Sequence, residues 1–189
     1  MAKYTVDSTI KNINFSEKEE YSEEYENCDF FDCNFAGCNL SNLTFEDCTF
    51  ENCDLSNVQL NNTAFKNIHF KSCKLTGAQF DTCNTFLLEF KFTMCILSYS
   101  SFYALKIPET NFTGCSITEA DFTDANLEKA VFENCDLSGS TFVNTNLQKT
   151  DFRSSINFSI DPEQNKLSGA KFSLESLPGL LHKYDIRIE

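Results

Sequence analysis

The chain has 189 residues, 28 of them acidic and 15 basic, for a formal charge of −13. The length suits one domain with a real core. The charge speaks against direct binding to DNA, RNA or an anionic membrane, each of which needs the opposite sign. Ten Cys, twenty Phe, six Gly and no Trp make an unusual mixture.

In chain order, residues 1–27 open without an apolar stretch that could act as a secretory signal, so a cytoplasmic location is expected. No later stretch approaches the ~18–20 apolar residues of a membrane span. Ile10, Ile13 and Phe15 suit inward positions of an early coil. The segment SEKEEYSEEYEN that follows offers only Tyr25 for the interior and reads as an acidic loop or deformed coil, so 1–27 is taken as an N-terminal cap.

From Phe30 a large apolar residue recurs every fifth position: Phe30, Phe35, Leu40, Phe45, Phe50, Leu55, Leu60, Phe65, Phe70, Leu75 and Phe80. The count slips by two near 81–86. It resumes at Leu87 and runs through Phe92, Leu97, Phe102, Ile107, Phe112, Ile117, Phe122, Leu127, Phe132, Leu137, Phe142 and Leu147 to Phe152. A period of five fits neither a helix nor an alternating strand. All ten Cys fall two residues before one of these centres. Where that column lacks Cys it mostly holds Ala, Thr, Ser or Val, with Leu43, Ile68, Phe90 and Leu105 as larger exceptions. Each pentad thus offers one large and one small inward residue and three polar outward ones.

This pattern describes a square solenoid with one pentad per side and 20 residues per coil, the coils stacked at the parallel-strand spacing of ~4.8 Å. Residues 20 apart then lie above one another. Phe30, Phe50, Phe70, Phe92, Phe112, Phe132, Phe152 and Phe172 form one internal ladder, and Cys33, Cys53, Cys73, Cys95, Cys115 and Cys135 form a ladder of buried thiols. The solenoid is assigned to 28–172, with a loop near 157–165 where Asn157 and Pro162 occupy centre positions. Residues 173–189 lose the period. Leu174, Leu177, Leu180 and Leu181 give a short helix an apolar face, with Ser173 or Ser176 as its N-cap. DIRIE reads as a short strand with Ile186 and Ile188 on one side.

The stretches CDFFDCNFAGCNLSNLTF, EADFTDANLEKAVFENCDLSGSTF and TNLQKTDF resemble the pentapeptide-repeat family, whose motif is A(D/N)Lxx with Cys, Ser or Thr tolerated for Ala and Phe for Leu. The resemblance covers roughly 28–158 and implies an all-β, right-handed quadrilateral β-helix. The ending is similar to that of the Qnr-type quinolone-resistance members, in which a terminal helix and strand join two subunits tail to tail. On that resemblance Leu174, Leu177, Leu180, Leu181, Ile186 and Ile188 are the expected interface of a homodimer.

The chemistry-bearing residues point away from catalysis. No Cys-x2-Cys pair offers zinc its usual spacing, and nothing points to an oxidising compartment. The cysteines therefore read as reduced, metal-free filler. His69 lies one residue before a centre and faces outward, and His182 is in the terminal segment; neither has a triad partner. No phosphate-binding glycine loop and no HExxH occur. No cofactor is expected, nor an enzyme. Residues 1–60 carry net −10, 61–110 net +2 and 111–189 net −5. What the resemblance implies is a protein partner, DNA gyrase or topoisomerase IV, bound by an acidic rod mimicking DNA; the alternative is a structural or adaptor rod for an unrelated protein. The loops that project from Gram-negative Qnr-type solenoids have no counterpart here beyond the two extra residues near 81–86.

Overall fold

The computed structural model describes residues 3–17, 21–184 and 186–187. Short parallel strands stack coil upon coil. On one side β1 (Tyr4–Val6), β3 (Glu24–Glu26), β5 (Thr44–Glu46) and β7 (Ala64–Lys66) form a four-stranded sheet. On the adjoining side β2 (Thr9–Lys11), β4 (Asp29–Phe31), β6 (Thr49–Glu51), β8 (Ile68–Lys71), β9 (Phe90–Thr93), β10 (Asn111–Thr113) and β11 (Val131–Glu133) form a seven-stranded one. Two further sides are ladders of single bridges, such as Asn34–Asp54–Lys74–Ile96–Ser116–Asp136 and Gln79–Ser101–Asp121–Thr141. We call the side of the seven-stranded sheet face 1, the Asn34 ladder face 2, the Gln79 ladder face 3 and the side of the four-stranded sheet face 4. The molecule is a four-sided parallel β-solenoid.

Its interior follows from the pentad. On face 1 the rings from Phe30 to Phe172 stack in seven successive steps, from 4.6 Å between Phe30 and Phe50 to 5.5 Å between Phe70 and Phe92. On face 3 Phe80, Phe102, Phe122 and Phe142 stack at 4.9 to 5.0 Å and meet the first ladder edge to face. Both geometries suit the aromatic quadrupole. The small column has a second duty. Cys53, Cys73 and Cys135 donate to the carbonyls of Phe30, Phe50 and Phe112 in the coil below. Thr63, Thr145, Thr150 and Ser155 make the same bond to Leu40, Phe122, Leu127 and Phe132. Cys, Thr and Ser interchange here because each is a short side chain with one donor.

Each corner needs a residue with positive φ. In the first coils these are mainly Asn and Asp, such as Asn12, Asp32, Asn52 and Asn67, the residues other than Gly that adopt this conformation most readily.

The solenoid begins earlier than the 1–27 cap suggests. β1 and β2 pair with β3 and β4 in register, Thr5 opposite Tyr25 and Ile10 opposite Phe30. The acidic segment is a deformed coil rather than a free loop. Tyr25 is buried and stacks on Phe45 at 5.1 Å, and Tyr21 donates its hydroxyl to the Phe15 carbonyl at 2.9 Å. Residues 18–20 lie outside the described residues.

The slip is also placed differently. Ala64 pairs with Asn84 but Ile68 pairs with Phe90, so the two extra residues fall between Asn84 and Phe90. Leu87, expected at an inward centre, is 63% exposed. Phe90 fills the interior instead, 5.7 Å from Phe65 and 5.1 Å from Phe80. A count of five cannot say which residues are surplus; the larger side chain takes the space. Face 4 is interrupted at this level and restarts at Lys106–Asn126. Pro108, which has no N–H, stands on the restarted edge, where proline is tolerated.

At the far end Asn157 is exposed, while Phe158 and Ile160 turn inward. Lys166 and Lys171 then recover the register with Asn146 and Asp151. The terminal helix is two short 3₁₀ turns, Leu177–Leu180 and His182–Tyr184, rather than a continuous apolar-faced helix. Pro178 and Gly179 shorten it, and the Ile160 N–H donates to the Gly179 carbonyl at 3.0 Å. Ser173 Oγ accepts from the Ser176 N–H, so Ser173 caps this turn. Ile186 and Arg187 belong to no strand, contrary to the reading of DIRIE; Asp185, Ile188 and Glu189 lie outside the described residues.

Candidate interaction surface

The outward positions carry the charge. Over the first coils, faces 4 and 1 present Glu24, Glu26, Glu46 and Asp47 with Asp29, Asp32 and Glu51 beside them. The bases that pair with this group come from the next coil up: Lys66 with Glu46 at 2.8 Å, Lys71 with Glu51 at 3.8 Å and Lys74 with Asp54 at 3.6 Å. Coil-to-coil pairing recurs at Lys129–Glu109, 2.6 Å. These pairs are solvent-exposed and contribute little each. They leave the N-terminal coils with a surplus of carboxylates and the middle without one.

At the interrupted corner a groove of about 750 Å³ opens between Glu46–His69, the extra residues and Pro108–Asn111. His69 lines it. Its Nε2 is 3.0 Å from Thr93 Oγ1. Burial, then the charges of Lys71 and Lys91, lowers its pKa to about 4, so the ring is neutral at pH 7. The groove is open and lined by charges of both signs, and it holds no nucleophile paired with a base.

The middle coil is the exception to the polar surface. Phe86, Leu87, Met94, Ile96, Tyr99 and Tyr103 are all exposed, from 46% for Ile96 to 69% for Phe86. Sequence reasoning missed them as a group. Leu87 had been placed inside, and the others sit at positions where the repeat sets no identity; register alone puts them in one coil.

The thiols have no site-like character. All ten are unbonded to one another and buried. Burial raises Cys28, Cys33, Cys38 and Cys83 above the usual thiol range and pushes Cys48 up to about 12. Within the face 2 ladder, hydrogen bonds from Cys53 and Cys95 and then burial hold Cys73 protonated. Among the described residues no group of His, Cys, Asp and Glu is placed to hold a metal ion. No helix among them is long and apolar enough to cross a membrane.

The structure divides the predicted terminal interface. Leu180 packs against the core and Leu181 is half-buried, whereas Leu174, Leu177 and Ile186 are exposed at 81%, 39% and 55%. Ile188 is outside the described residues. Beside this cap lies a polar cleft of about 480 Å³ that includes Arg153, Ser176 and His182. The Arg153 guanidinium is already held by Asp151 through Nε and Nη2.

A parallel four-sided solenoid with a large and a small inward residue per side defines a class of repeat proteins that present surfaces rather than catalytic pockets. The profile of the pentapeptide-repeat region matches residues 23–91 and 87–172, and the chain belongs to the pentapeptide-repeat family. The right-handed quadrilateral β-helix expected from the motif is the fold observed. Among solved structures the chain is similar to full-length QnrB1, described as a plasmid-mediated fluoroquinolone resistance protein. The two share 19% identity over 97% of this chain and 100% of that one, with a TM-score of 0.50. It is also similar to HetL, a pentapeptide-repeat protein involved in heterocyst differentiation regulation from the cyanobacterium Nostoc sp., at 15% identity over 92% of this chain and 87% of that one, TM-score 0.59. At such identities the likeness carries the fold. A search of curated protein sequences gives no match.

Proposed function

We propose that this chain is a non-enzymatic binding rod whose acidic coils occupy a DNA-binding groove on a type II topoisomerase, DNA gyrase or topoisomerase IV. The observation that carries the reading is the distribution of carboxylates. Residues 1–60 hold net −10 on a straight rod, and many of these acids lie on faces 4 and 1, where a basic groove built for phosphates can meet them. DNA carries one charge per ~1.7 Å of axis, and regularly spaced carboxylates on a rod of ~4.8 Å steps supply a partial imitation. Quinolone resistance in a structurally similar protein fits this partner. The exposed Leu174, Leu177 and Ile186 support a tail-to-tail homodimer that doubles the rod, since a two-fold contact lets one patch cover itself.

A second reading, an adaptor rod for an unrelated protein, is favoured by the uncharged, apolar middle coil, which a pure DNA mimic does not need. A supercoiling assay with purified gyrase, with and without a fluoroquinolone, decides between them. The first reading expects inhibition or protection at micromolar protein, weakened when Glu24, Glu26, Glu46 and Asp47 are changed together to Gln or Asn. No effect on gyrase or on topoisomerase IV leaves the adaptor reading.

A further inference from the structure

Among the described residues between 7 and 155, all the exposed large apolar side chains fall in the single coil 86–103. Three of them hold a backbone conformation that disfavours them. Leu87, Met94 and Tyr99 have φ of +57°, +56° and +59°, at corners where the coil below places Asn67, Ser72 and Gly77. Large side chains at such corners are strained, and the packed interior does not require them, since they point to solvent. Residues 61–110, which contain this coil, carry net +2 between ends of −10 and −5.

We propose that this coil is where two copies of the chain touch, face 2 against face 2 with the rods antiparallel. Two acidic rods repel each other most at their ends, and the band where charge is absent is the one place where they approach without that penalty. A basic partner would have been served by keeping carboxylates there; a second copy is served by removing them. Face 2 also has the shape for it. Met94 and Tyr99 stand at its two corners with Ile96 between. Its second outward column is small throughout, Ser56, Thr76, Ser98, Thr118 and Ser138 following one another coil by coil. A two-fold axis along the row sets Ile96 against Ile96 and Ser98 against Ser98 of the second copy, an isologous contact. It is independent of the terminal contact and of any topoisomerase.

The test uses the full-length chain. All ten native thiols are buried, so one surface cysteine reacts selectively with a short bismaleimide. Ser98→Cys, at tens of micromolar, is expected to give a covalent dimer, and Thr123→Cys on face 3 is not. Adding Ile96→Asp to Ser98→Cys is expected to lower the dimer yield at least tenfold, with an unchanged circular dichroism spectrum as the check on folding. Two results overturn the proposal. One is a Ser98→Cys yield no higher than that of Thr123→Cys. The other is a yield that Ile96→Asp leaves unchanged. A tail-to-tail dimer cannot produce the Ser98 product, because face 2 of the middle coil is several coils from residue 174.

Discussion

Cys73 shows how much one side chain carries in this fold. It is buried, fills the space beside the Phe ladder, and donates to the Phe50 carbonyl at 3.3 Å. Cys73→Ser keeps the donor and the size, as Thr63 and Ser155 do at equivalent positions, and is expected to change stability by less than about 1 kcal/mol. Cys73→Leu overpacks the interior and is expected to cost about 1–3 kcal/mol. Urea titration of the two variants checks the order. His69 is different, because its cost is electrostatic. The folded-state pKa is lowered to about 4 by burial and then by Lys71 and Lys91, below the ~6.5 of an unfolded His. The unfolded chain therefore binds more protons between these values, and stability falls as pH drops from about 6.5 toward 4. The ring is largely solvent-accessible, so screening keeps the effect small. His69→Gln is expected to flatten that part of the Tm–pH curve and leave the carboxylate-driven loss at lower pH. An unchanged slope would mean the ring titrates normally.

At the scale of the element, the coil is closed by four corners, and the corner residue sets a local cost that the rest of the coil must offset. Asn52 and Asn57 serve with φ of +55° and +53° because their side chains tolerate the left-handed region. Tyr99 does not share that tolerance. Tyr99→Gly is expected to raise stability by about 1 kcal/mol through relief of that strain, while weakening the lateral contact. A gain in Cm together with a loss of Ser98 cross-linking would show that the tyrosine serves binding and not folding. The same periodicity explains why the corner at Asn84–Phe90 was misplaced in the sequence. Thr85, Phe86, Leu87 and Leu88 offer three candidates for one inward site, and the choice depends on the volume left over Phe65, which the coil below decides.

For the whole molecule, stability and assembly come from different surfaces. The stacked core is continuous from Phe15 to Phe158, so each coil is covered by the next and the ends alone need caps. The C-terminal cap buries Leu180 but leaves Leu174 and Ile186 in water. Full-length Leu174→Asp with Ile186→Asp is expected to abolish the terminal joint, lowering the sedimenting mass at tens of micromolar, while Ser98→Cys cross-linking persists. Mass unchanged by these substitutions would place the joint elsewhere. Burying such side chains offers about 1.5–3 kcal/mol each, from which the entropy of association must be subtracted, so the joint is expected to depend on concentration.

The sequence by itself determined the repeat, the inward and outward positions, the two ladders and the net charge of each third, because all of these follow from a strict period of five acting on side-chain size and polarity. It misjudged the ends, where the period stops and packing takes over: β1 and β2 extend the solenoid to Tyr4, and the terminal helix shrinks to 3₁₀ turns around Pro178 and Gly179. Only the tertiary structure decided that Phe90 enters the core while Leu87 leaves it, since two residues compete for one volume. It alone gathered Phe86, Met94, Ile96, Tyr99 and Tyr103 onto one coil. Outward positions have no packing constraint that would mark them in the sequence, and their meaning appears only when the stacking of the coils makes them neighbours.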